Sequence, residues 1–249
     1  MTIENHLVDA LRYSVDLAGK EQKIITNKEG KEFYDSQQFT LRELEPIKYA
    51  NHLEVSSLTA VLSYISANVD EITKNKIVLH VESPTSVKLF TELNVDRKRE
   101  LLLVAKPLLP TFNYGRWYDS EQFNISLQAS FIKAEDRDLL IKFSSAIRID
   151  NSSDLIDDGV SQTTKIQNGV ASLGNAKAPN PVTLKPYRTF LEVDQPDSQF
   201  IYRLNKEGES ALFEADGGKW RSEAIQNVAK FLNDNLSAVQ EELDFIVLA

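Results

Sequence analysis

The chain has no cysteine and a single methionine. Without thiols it forms no disulfide, no thiolate nucleophile and no cysteine-ligated zinc or iron–sulfur centre. The only histidines, His6, His52 and His80, are scattered. None has a partner two to four residues away that would place a metal pair on one element. No apolar run approaches the roughly 20 residues that a membrane-crossing helix requires. Residues 101–110 and 245–249 come nearest, and both are strand-sized. Residues 1–19 carry acids among their apolar positions and no basic stretch ahead of a greasy one, unlike a secretory leader. Basic charge is also short, with 28 Lys and Arg against 37 Asp and Glu and a net charge of −9. That balance argues against a broad electrostatic grip on nucleic acid. No Gly-x-Ser-x-Gly elbow presents a serine nucleophile. Gly19-Lys20 and Gly218-Lys219 lack the remainder of a phosphate-binding loop. These absences lead us to expect a protein that is not an enzyme and uses no cofactor and no metal.

What is present suffices for a full core: 249 residues, 42% hydrophobic and 26% charged. The densest structural signal lies in residues 180–236. Three β-like runs are expected there, at 187–193, 199–204 and 210–214. The turn residues Pro196-Asp197-Ser198 and Glu207-Gly208-Glu209 separate them. Asp216-Gly217-Gly218 then breaks the sheet ahead of a helix bearing Ala224, Ile225, Val228, Phe231 and Leu232 at helical spacing. Toward the N-terminus, residues 3–18 read as an amphipathic helix and 19–31 as a polar, lysine-rich connector turning at Gly30. Residues 32–49 fit no element. Leu58, Val61, Leu62, Ile65 and Val69 mark a helix capped by Ser56 or Ser57. Strands are expected at 76–81, 87–93 and 101–106. Another is expected at 123–131, where Phe123, Ile125, Leu127, Ala129 and Phe131 alternate. Residues 139–149 are ambiguous, 160–170 read as a polar strand and 171–181 as a small-residue linker. Clustered strands with helices between clusters indicate α+β. The division expected is residues 1–31, a helix and connector, and 32–249, an antiparallel, strand-rich body with a few packing helices.

Few residues suggest chemistry. His80 lies in an apolar strand and reads as structural. Asp154, Asp157 and Asp158 before Gly159 lack the alternate ligand spacing and late glutamate of a calcium loop, so a solvated acidic turn is the simpler reading. Glu135, Asp136 and Asp138 around Arg137 suit a helix start that complements its macrodipole. The strongest surface candidate is the loop carrying Phe112, Tyr114, Arg116, Trp117 and Tyr118. Aromatics interleaved with arginine stack on single-stranded bases or anchor a protein interface. The same residues can equally fold down as a lid on the core. Lys185, Arg188 and Arg203 can contact a phosphate or pair with Glu192, Asp194 and Glu214 across the sheet. The binding candidates are therefore Phe112, Tyr114, Arg116, Trp117, Tyr118, Arg188 and Arg203. The only tight basic cluster, Arg97-Lys98-Arg99, is flanked by Asp96 and Glu100, so duplex DNA is not an expected partner. Single-stranded nucleic acid stays open.

The runs LKPYRTFLEVDQPDSQFIYRL, ALFEADGGKW, LHVESPTSVKLF and YDSEQFNISLQASF resemble a family encoded by phages and prophages of Gram-positive bacteria. More loosely, the chain is similar to the YfdQ-like family of enterobacterial prophages. The matching Phe-x-Ser-x-Ile-Arg segment is Phe143, Ser145, Ile147 and Arg148. The resemblance spans roughly residues 58–236 and carries no catalytic motif. It implies an accessory role inside the host cell, near recombination and replication functions. The expected function is binding of a host or phage protein, with self-assembly as the alternative and a nucleic-acid or nucleotide enzyme as a third. Homo-oligomerisation through residues 1–30 and a cytoplasmic location are expected.

Overall fold

A computed structural model describes residues 3–18, 24–35, 41–43, 49–74, 76–146, 156–157, 162–168, 172–177, 180–239 and 243–249. The chain is α+β and forms two compact units, Met1–Ala50 and Asn51–Ala249.

The first unit opens with helix α1 (Ile3–Ala18), where the apolar spacing places it. Strands β1 (Ile24–Thr26), β2 (Glu32–Asp35) and β3 (Leu41–Glu43) follow and pair antiparallel in that order. Part of the expected connector is therefore a strand. Ile24 and Ile25 are β-branched and favour extended backbone. The Asn27 side chain closes the turn by accepting from the amides of Glu29 (2.9 Å) and Lys31 (3.0 Å). Gly30 takes the positive φ of 81° that the turn demands. The unassigned residues 32–49 supply β2 and β3.

The second unit begins with β4 (Leu53–Val55), α2 (Leu58–Ser66), β5 (Ile77–Ser83), β6 (Ser86–Thr91) and β7 (Leu101–Ala105). Helices α3 (Ser120–Ser130) and α4 (Glu135–Ala146) come next. Then follow β8 (Ile156–Asp157), β9 (Gln162–Asn168), β10 (Ser172–Lys177), β11 (Val182–Leu184), β12 (Ser198–Leu204) and β13 (Ser210–Glu214). Helix α5 (Trp220–Val239) and strand β14 (Phe245–Leu248) complete it.

Its first core lies between helices α2 and α5 and a sheet ordered β14-β5-β6-β7-β4. The inner pairings of that sheet are antiparallel, and both edge strands join in parallel. The Ser57 side chain caps α2 by accepting from the Ala60 amide (3.1 Å). Leu58, Val61 and Ile65 then meet Val228, Leu232 and Leu236 of α5 over Leu79, Val81, Leu89 and Leu103. Each such aliphatic side chain contributes about 2 kcal/mol by leaving water.

The second core is aromatic and lies where α3 and α4 cover the antiparallel sheet β11-β12-β13. Phe200, Tyr202 and Leu204, which alternate with polar neighbours, point inward from β12, and Ser198, expected in the turn, opens the strand and is buried with them. The expected strand over 123–131 is instead helix α3. Asp119 decides the matter by accepting from the Gln122 amide (2.8 Å), which satisfies an orphan donor of the first turn. Phe123, Leu127 and Phe131, spaced by four, are fully buried, while Ile125 is 58% exposed. In this stretch an alternation of apolar residues coincided with an i, i+4, i+8 stripe. Two further expectations fail. Residues 187–193 form no strand, because the Arg188 and Thr189 amides both donate to the Gln195 side chain rather than to a ladder. Residues 172–177, expected as linker, are β10 and pair in register with β9, since a ladder needs backbone groups and not large side chains.

Helix α4 carries Glu135, Asp136 and Asp138 in its first turn. Asp136 also accepts from the Thr183 amide (2.7 Å), tying the helix to β11. Residues 147–149 lie outside the described residues, as do Asp154, Asp158 and Gly159 of the acidic cluster. No helix among the described residues is long and apolar enough to cross a membrane.

Candidate functional site: a buried arginine beneath the aromatic loop

The aromatic loop divides into an inner and an outer half. Residues 113–118 run along β13: the Gly115 amide donates to the Leu212 carbonyl (2.8 Å), and Tyr118 and Ser210 exchange backbone bonds. Gly115 makes this possible with a φ of 76°, and a Cβ there would meet the Phe213 ring at 3.6 Å. Phe112 and Tyr118 point inward and are buried, and the Tyr118 hydroxyl accepts from the Asn113 amide (3.1 Å). Tyr114 is half-buried and stacks on Phe200 with ring centroids 5.3 Å apart. Trp117 faces outward at 38% exposure and meets Phe213, equally exposed, edge to face at 6.3 Å. Arg116 is exposed, with its guanidinium over the Tyr118 ring. Of the four aromatics a single strand would stack on, two are thus enclosed.

Beneath the loop lies Arg188, only 9% exposed. Its position is set by Gln195, whose buried amide organises residues 188–195 from within. Gln195 Oε1 accepts from the Arg188 (2.9 Å) and Thr189 (3.1 Å) amides, and Nε2 donates to the carbonyls of Phe190 (2.9 Å) and Val193 (3.2 Å). Thr189 Oγ1 donates to the Pro84 carbonyl (2.5 Å), fixing the same segment to the turn after β5. The Arg188 guanidinium sits 4.6 Å from the Tyr114 ring, 4.7 Å from Trp220 and 5.1 Å from Phe200. Its Nε donates to the Tyr114 hydroxyl (3.0 Å). Nη1 lies 3.0 Å from Glu214 Oε1, within ion-pair range but outside hydrogen-bond geometry. Among the described residues neither Nη2 nor Trp220 Nε1, both buried, has an acceptor. Burial pushes the Tyr114 phenol above its ordinary value, against the pull of the Arg188 cation.

A cavity of about 410 Å³ opens on this cluster. Leu109, Pro110, Phe112, Pro186 and Tyr187 form an apolar wall, and Arg188, Glu214, Trp220 and Arg221 supply the polar side. The volume falls in the range that holds small ligands. Phe112, Tyr114 and Arg188 stood out in the sequence as binding candidates and Glu214 as a pairing partner, and Arg188 and Glu214 do meet here; Trp220 and Arg221 did not stand out. The signal was available: Gly217 and Gly218, both at positive φ, turn the chain so that Trp220 and Arg221 open α5 beside the arginine.

The other candidates lie elsewhere. Arg203 is half-buried on β12 opposite Ala211 and does not line the cavity. Lys185 pairs with Asp197 (3.4 Å). Arg97 takes a positive φ of 57° in the turn between β6 and β7. His80 is half-buried on the sheet face away from α5, in a shallow cavity of about 370 Å³ with Val78, Phe90, Arg99 and Leu248. Among the described residues no group of three or more histidines and carboxylates converges to hold a metal ion. No protein-family model, curated protein or solved structure matches the chain.

Proposed function

We propose that this protein acts by binding a protein partner rather than by catalysis, as an accessory protein of a phage or prophage in the cytoplasm of the host cell. The observation that carries the reading is the Trp117–Phe213 pair, two large aromatics held outward on a loop whose backbone is bonded to β13. Exposed tryptophans on a rigid support are typical interface anchors, because little side-chain entropy is lost when they are covered. The net charge of −9 favours a partner with a basic rim around an apolar pocket. The test is affinity capture from the host with wild type and Trp117→Ala, followed by titration of the purified partner. We expect Trp117→Ala and Phe213→Ala each to weaken the complex at least tenfold, about 1.4 kcal/mol. A complex indifferent to both substitutions would overturn the reading.

A second reading, self-association, is favoured by one observation. Helix α1 exposes Leu7 (64%) and Leu11 (58%), four residues apart on one face. A second copy presenting the same stripe would cover it in an isologous contact. Light scattering on the full chain should then give a mass above the monomer that Leu7→Glu with Leu11→Glu reduces. A monomeric wild type would exclude it.

A further inference from the structure

We propose that the Arg188 cavity is a binding site for a small aryl carboxylate, independent of the protein-binding reading above. Arg188 is more than nine-tenths buried and lines the cavity; among the described residues neither Nη1 nor Nη2 has a hydrogen-bond acceptor, Nη1 lying within ion-pair range of Glu214 while Nε is bonded to Tyr114. A buried guanidinium corner left unpaired carries a desolvation penalty that a ligand oxygen recovers. Trp220 Nε1, also buried and unpartnered, supplies a second donor on the same wall. Both orphans are donors, so the occupant brings acceptors.

Charge selects among acceptors. Of the charged side chains that line the cavity, Arg188 and Arg221 are positive and Glu214 is negative, leaving a surplus of one positive charge. Among the described residues Arg221 has no carboxylate partner, and its guanidinium lies 5.1 Å from the Trp220 ring. Asp216 stands outside the lining, its Oδ1 accepting from the Gly218 amide (2.9 Å) and its Oδ2 buried without a hydrogen-bond partner among the described residues. A carboxylate monoanion matches the single surplus charge of the lining. A phosphate dianion would overcompensate it and face Glu214 at short range. Leu109, Pro110, Phe112, Pro186 and Tyr187 add apolar surface to the lining, which suits an aromatic ring on the carboxylate. Trp220 is partly buried, and its ring lies 4.7 Å from the Arg188 guanidinium.

That last feature provides the readout. In the full chain carrying Trp117→Phe, Trp220 is the sole tryptophan. Titration with phenylacetate at fixed ionic strength should change its emission saturably. Phenylacetamide, of the same shape without the charge, should bind at least tenfold more weakly, and so should inorganic phosphate. Arg221→Ala should weaken phenylacetate about tenfold. Arg188→Lys, which keeps the charge but not the planar fork, should abolish saturation while circular dichroism confirms a folded chain. If Arg188→Lys fails to fold, Arg221→Ala decides alone. Equal affinity for acid and amide would reduce the site to an apolar slot and overturn the proposal. Phosphate binding tighter than phenylacetate would overturn the monoanion assignment. The absence of any saturable change would overturn both. None of these outcomes depends on whether a protein partner exists.

Discussion

Replacing Gln195 should unravel the segment that carries Arg188, and the cost can be worked from its bonds. The side chain is 4% exposed and takes two backbone donors, Arg188 and Thr189, while giving its own protons to the carbonyls of Phe190 and Val193. Gln195→Leu leaves both amides unpartnered in a dry site at roughly 1–3 kcal/mol each, for a loss of about 4 kcal/mol. Gln195→Glu retains the acceptor but turns its second oxygen toward two carbonyl oxygens. Burial and those oxygens raise the folded-state pKa of the introduced carboxyl above its unfolded value near 4.3. The folded variant then binds more protons than the unfolded chain above that pH, so its stability relative to wild type falls as pH rises and recovers in acid. Urea unfolding followed by tryptophan emission reads this directly, because Trp117 and Trp220 both belong to the unit that holds Gln195. With a slope of about 2–3 kcal/mol per molar, the Gln195→Leu midpoint should drop by about 1–2 M. Losses under about 1 kcal/mol in both variants, with parallel pH profiles, would refute the claim that this amide shapes the loop.

Three further outcomes are expected. Ile125→Asp should cost under about 1 kcal/mol and Leu127→Ala about 2–5 kcal/mol, because α3 exposes the first and buries the second; similar losses would restore the strand, in which the two share a face. The Tyr202 phenol, fully buried and bonded to Ser210 Oγ (2.8 Å), is pushed up to about 12 by burial. Its neutral form is thus favoured by folding, so its contribution is intact below about pH 10 and fades through pH 12, on the order of 3 kcal/mol; Tyr202→Phe should flatten that part of the alkaline unfolding curve, and an unchanged slope would contradict the assignment. Trp117→Ala should lower the unfolding free energy by no more than about 1 kcal/mol, against the 3–5 kcal/mol of an emptied core aromatic site, and a loss in the latter range would place the ring in the core.

Local pattern by itself determined a good part of this protein. The i, i+3, i+4 stripe of α2 with its Ser57 cap, the continuous apolar run of β7 and the alternation of β12 each have one low-energy solution, because periodicity and burial agree. The α+β class follows from their order. Where one pattern served two structures, packing chose. Phe123 to Phe131 satisfied both a strand and a helix, and the partners Phe143, Phe200 and Tyr202 together with the Asp119 cap selected the helix. Residues 187–193 looked extended, yet a glutamine outside the run captured their amides. The candidate site shows the same division. Tyr114 and Arg188 stood out by residue type, but 74 residues separate them. Trp220 and Arg221 reach the same point from the far end of the chain only because β13 turns through two glycines into α5. A ligand cavity is a convergence of distant segments, and convergence is fixed by the burial of two separate cores rather than by any local run of residues.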